Sequence, residues 1–139
     1  MKTMKRDVTE LVFILDESGS MEPLTTDTIG GFNSMLAKQK NETGTVLVTT
    51  VFFHNDSKIV HDRIDIKKVE PLTDKEYVPG GCTALIDALG DTITHIEKIH
   101  KYIKAEDVPG KTLFIISTDG EENASHKYTS DETNKKYKR

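Results

Sequence analysis

Leu11-Val12-Phe13-Ile14-Leu15-Asp16-Glu17-Ser18-Gly19-Ser20 decides the fold. Five apolar residues in succession read as a strand buried on both faces, the kind found in parallel sheets covered by helices. The run stops at a carboxylate and enters a Ser/Gly loop. In open α/β sheets, ligands are held outside the carboxyl ends of the strands, so this loop is where chemistry is expected.

Working outward, a helix is expected from about Leu24 to Gln39, with Ile29, Phe32 and Leu36 on one face and Gly30-Gly31 weakening the pattern. Thr45 to Phe53 is rich in β-branched and aromatic residues, and His54-Asn55-Asp56-Ser57 after it is turn chemistry. Lys58 to Ile64 alternates loosely, as the edge strand of a hairpin does. An irregular stretch with Pro71 and Pro79 leads to Gly80-Gly81-Cys82-Thr83. From Ala84 to Ile103, the positions Leu85, Leu89, Ile93, Ile96, Ile99 and Ile103 keep helical spacing, with Asp87, Asp91, Glu97, Lys98 and Lys101 among the polar positions. Pro109-Gly110 is expected to break the chain before a last buried strand, Thr112 to Thr118, ending at Asp119-Gly120. This order predicts an α/β fold: an open, mostly parallel sheet with one antiparallel edge hairpin and helices on both faces. The polar segment from Tyr128 to Arg139 is open between a short helix and disorder.

The 139 residues suit one domain. A hydrophobic fraction of 35% against 30% charged residues describes a globular chain rather than a disordered one. No apolar run approaches the roughly 20 residues needed to span a bilayer, and Leu11 to Leu15 is too short for a secretory signal core. A single Cys82 permits no intrachain disulfide, so a cytoplasmic location is the default expectation, with no membrane partner. The formal charge of −4, with basic residues gathered only at Lys135, Lys136, Lys138 and Arg139, argues against a nucleic-acid surface.

Three segments fall at or near strand ends. Asp16, Ser18 and Ser20 can turn toward one centre, Thr83 places a hydroxyl at the start of the long helix, and Asp119 follows the last strand. Two carboxylates and three hydroxyls without His or Cys suit a hard cation, Mg²⁺, Mn²⁺ or Ca²⁺, better than zinc. If the hydroxyls bind directly and one or both Asp act through water, the metal keeps much of its charge. A Glu or Asp carboxylate from a partner protein could then complete the shell. Each residue also has a plainer use: Asp16 as a turn residue, Thr83 as a helix N-cap, Asp119-Gly120 as a turn. Cys82 reads as a small packing residue, His95 and His100 as surface, and Glu17, Glu121 and Glu122 as solvated groups that could line the mouth.

The three parts together, Asp16-Glu17-Ser18-Gly19-Ser20, then Thr83, then Asp119 in Thr118-Asp119-Gly120, resemble the von Willebrand factor A domain and its metal-ion-dependent adhesion site, D-x-S-x-S … T … D. The resemblance runs from the first strand through Asn123. It implies a Rossmann-like sheet, Mg²⁺ or Mn²⁺ held by Asp16, Ser18, Ser20, Thr83 and Asp119, and protein ligands that donate an acidic side chain. Domains of that family usually continue with further helix and strand units. Residues 1–139 are therefore expected to be a single domain, C-terminally truncated or short, whose last strand is an apolar edge open to self-association.

An enzyme is not expected. The strongest alternative is a Mg²⁺-dependent hydrolase of the haloacid dehalogenase type with Asp16 as nucleophile, but Ser18 stands where that chemistry needs a second Asp as general acid. A serine hydrolase is weaker still, since neither Ser18 nor Ser20 sits in a G-x-S-x-G turn.

Overall fold

The computed structural model describes residues 4–42 and 44–118, with side chains from residue 7 onward. The elements follow the order β1 (Met4–Asp16), α1 (Thr25–Lys40), β2 (Thr45–Phe53), β3 (Ser57–Asp65), α2 (Leu85–Tyr102) and β4 (Val108–Ser117). The four strands form one open sheet in the order β3-β2-β1-β4. β1 runs parallel to both β2 and β4, and β3 is antiparallel to β2. This is the expected α/β architecture, with β1 longer than its apolar run. Pro109-Gly110 lies within β4, where Pro109 pairs with Lys5, instead of interrupting the chain. Proline is tolerated there because β4 is an outer strand of the described sheet.

The pleat sends alternate β1 residues to opposite faces. Leu11, Phe13 and Leu15 pack with Phe32 and Leu36 of α1 and with Val46, Val48 and Phe52 of β2. Val12 and Ile14 pack on the other face with Phe53 and with Ala88 and Ile96 of α2. Each fully buried Phe or Leu contributes roughly 1.5–3 kcal/mol over its exposed state. Phe13 and Phe32 meet at 4.4 Å between ring centroids, which fixes α1 against the middle of β1. The connection after β3 stays on the α1 side, burying Ile66, Val69, Leu72 and Tyr77. Asn33 holds it there: its side chain donates to the Leu72 carbonyl at 3.0 Å and accepts from the Leu72 N–H at 2.7 Å. No described helix is long and apolar enough to cross a membrane.

Three polar features of α2 were not expected. Asp87 is buried in the first turn of α2 rather than facing solvent. His100 is no idle surface group: its Nε2 lies 2.9 Å from Oε1 of Glu10, a fully buried carboxylate on β1. His95 meets Asp62 at 3.0 Å across the α2–β3 boundary.

His61 sits on β3 with its Nδ1 2.8 Å from Thr50 Oγ1 and its ring stacked near Phe32. Burial holds its pKa below the usual histidine value. A depressed folded pKa means that the unfolded chain takes up the proton first, so stability is full above about pH 6.5 and falls as the pH drops toward the folded pKa. In urea titrations between pH 7.5 and 5, His61→Gln is expected to flatten part of that fall. An unchanged slope would remove His61 as its source.

Candidate metal centre

The parallel registers bring β1, β2 and β4 to a common edge: Asp16 pairs with Phe53, and Leu15 with Ser117. Asp16 is fully buried there. Its Oδ1 accepts from the Ser18 N–H at 2.9 Å and the Ser18 hydroxyl at 2.6 Å. Its Oδ2 accepts from the Thr118 hydroxyl at 2.8 Å, and its main-chain carbonyl accepts from the Tyr77 phenol. Tyr77 is itself buried edge-on to Phe52. Burial raises its phenol pKa to about 12, helped by the nearby Asp16 and Glu17 charges and opposed by a hydrogen bond with Thr28, so it remains a neutral donor.

Ser20 stands with Ser18, their hydroxyl oxygens 3.2 Å apart, Ser18 buried and Ser20 exposed. Thr83 is 1% exposed, on a loop stacked against this one: the Gly19 N–H donates to the Gly81 carbonyl at 2.9 Å. Gly81 is required at that point. Its φ is +81°, and a Cβ there would lie 2.7 Å from Asn55 Oδ1. The N-cap position of α2 falls on Ala84, whose side chain makes no capping hydrogen bond, and Thr83 directly precedes it. Cys82 is exposed rather than packed, its N–H donating to Asn55 Oδ1 at 3.0 Å. Asp119, Glu121 and Glu122 lie outside the described residues. Thr118, which precedes Asp119 in the sequence, is the β4-side contact to Asp16.

Among the described residues no three His, Cys, Asp or Glu side chains form a metal-holding group. The candidate set is instead one carboxylate with hydroxyls, and its geometry can be tested against a cation. Neighbouring ligands of an octahedral Mg²⁺ at roughly 2.0–2.1 Å lie about 3 Å apart, close to the separation of the two serine oxygens. Ser18 gives its proton to Asp16, which leaves oxygen lone pairs free to face an ion. Asp16, with both oxygens taking donors, is placed to orient ligands and supply charge from behind them.

Glu17 also departs from expectation. It is 6% exposed and turned inward, Oε2 accepting from the Val78 N–H at 3.0 Å, so it does not line a mouth. Sequence inspection missed it because an acidic loop residue between Asp and Ser carries no mark of burial. The same holds for Thr118, whose signal was only its place beside Asp119.

No family model matches the chain, and no curated protein does. Among solved structures it is similar to proximal thread matrix protein 1 from the mussel byssus, in crystal form 2, with a TM-score of 0.57 and 16% identity. The match covers 94% of this chain and 33% of that one, so this chain spans a third of the length of its structural neighbour. At that identity the likeness concerns the fold alone.

Proposed function

We propose that the chain is a von Willebrand factor A-like module that holds one Mg²⁺ or Mn²⁺ through Ser18, Ser20, Thr83, Asp16 and Asp119, and uses it to bind a Glu or Asp side chain of a partner protein. The observation that carries this reading is the serine pair: two hydroxyl oxygens 3.2 Å apart, one with its proton committed to a buried carboxylate. Neutral hydroxyl ligands leave a divalent ion most of its charge, and an acceptor carboxylate from outside is the group that charge favours. The inward turn of Glu17 removes one negative group that would have repelled such a partner. The reading includes no catalytic step. A phosphoryl-accepting role for Asp16 is poorly served by a buried carboxylate whose two oxygens already accept three hydrogen bonds.

Glutarate is a small probe of the open position. Added to the Mn²⁺-loaded protein, it is expected to displace a metal-bound water and lower the water-proton relaxation rate, while glutaramide leaves it unchanged and the free-ion paramagnetic resonance signal shows no Mn²⁺ released. Equal responses to the two probes would leave metal binding standing and remove the carboxylate-docking role.

A further inference from the structure

The loop from Val78 to Ala84 is fastened to the ends of β1 and β2 by a set of hydrogen bonds. The Gly80 N–H donates to the Glu17 carbonyl at 2.8 Å, and the Gly81 carbonyl accepts from the Gly19 N–H at 2.9 Å. The Ala84 N–H donates to the His54 carbonyl at 2.7 Å, and Asn55 Oδ1 takes the Cys82 N–H at 3.0 Å. Glu17 differs from these partners in acting through both main chain and side chain. Its carboxylate, withdrawn from solvent, takes the Val78 N–H at the entry to the loop. A charged acceptor shielded from water makes a stronger bond than a neutral exposed one. Glu17 also lies between Asp16 and Ser18, so the residue that grips the Thr83 loop is covalently continuous with the residues that would face the ion.

We infer that Glu17 is a positioning residue: it grips the loop at Val78 and Gly80, holding Thr83 in register with Ser18 and Ser20 so that the third hydroxyl is in place before a divalent cation arrives. The inference rests on the proposed metal site and adds to it the source of its preorganisation. A site whose third ligand is in place only part of the time binds with an affinity reduced by that fraction. Loss of the grip that leaves the loop correctly placed about one tenth of the time therefore weakens binding about tenfold. The role needs an acceptor oxygen at this position, and the charge adds only to the strength of the bond.

The test is Mn²⁺ titration of the full chain by paramagnetic resonance, with amide exchange at Val78 and Gly80 followed by NMR. Glu17→Ala is expected to weaken Mn²⁺ binding about tenfold and speed both amides, whereas Glu17→Gln, which retains an acceptor, stays within about threefold of wild type. Should Glu17→Ala not fold, Glu17→Met, of similar volume and without an oxygen acceptor, takes its place. Wild-type binding with unchanged affinity in Glu17→Ala or Glu17→Met would overturn the positioning role alone. Equal losses in the Gln and Ala variants would assign the effect to the charge and overturn it as well. A wild type that binds no Mn²⁺ would overturn the metal reading, and this inference with it.

Discussion

Asp16→Asn is expected to weaken Mg²⁺ or Mn²⁺ binding by about 10–100-fold while leaving the metal-free fold intact. The substitution preserves the local hydrogen bonds. The Asn oxygen still accepts from the Ser18 N–H and hydroxyl, and its amide can donate to Thr118, whose hydroxyl can turn to accept. What is lost is the negative charge behind the serine ligands. Asp16→Ala is a poorer probe, since Asp16 is fully buried and its removal takes the acceptor from the buried Ser18 N–H and hydroxyl, at about 1–3 kcal/mol for each buried donor left unpaired. Calorimetric titration of the Asn variant, with its circular dichroism compared to wild type, checks the claim. Wild-type affinity in a folded Asn variant would remove Asp16 from the site.

Arg63→Met is expected to have the largest effect on stability, about 3 kcal/mol, or a melting temperature lower by roughly 10 °C. Arg63 Nε lies 2.9 and 3.1 Å from the two oxygens of Glu10, which has no solvent exposure of its own. The contact depends on a bulge. The β2–β3 register shifts between Val48 and Thr50, Arg63 takes a φ of +53°, and its N–H donates to Thr49 Oγ1 at 3.1 Å. A non-glycine residue in that conformation costs roughly 1–2 kcal/mol, which the pairing with Glu10 must offset. Removing the guanidinium leaves a buried carboxylate facing His100. Replacing both members, Glu10→Leu with Arg63→Met, is expected to recover most of the loss, because no charge is then left buried. Urea denaturation of the single and double variants decides it. A single variant within about 1 kcal/mol of wild type would mean that water reaches Glu10.

The fold was legible where the sequence carries period and length. β1, β2 and α2 follow from unbroken apolar runs and one long stripe, and Gly30-Gly31 did not stop α1, since both glycines are exposed and helix packing depends on Phe32 and Leu36. The first arm of the candidate site was legible for a related reason: Asp16, Ser18 and Ser20 are local, so spacing alone brings them together. What stayed hidden joins residues far apart in the chain. Glu10 meets Arg63 across 53 positions and His100 across 90, and the bulge that aims Arg63 leaves no trace in a strand that merely alternates loosely. The start of α2 falls one residue later than Thr83, on Ala84, because capping chemistry in a sequence marks a boundary only to within a residue or two. Glu17 reads as solvated until its carboxylate is seen to accept from the N–H of Val78, 61 positions away.

Thermal unfolding of wild type and Asp16→Asn, each in excess Mg²⁺, excess Mn²⁺ and a chelator, tests the central claim most directly. At about 100 times the dissociation constant a bound ion adds roughly 2.7 kcal/mol, several degrees for a chain of this size. The account predicts that shift in the wild type and its loss in the variant at the same metal concentration. Identical melting in metal and chelator, or the same shift in both proteins, would contradict it.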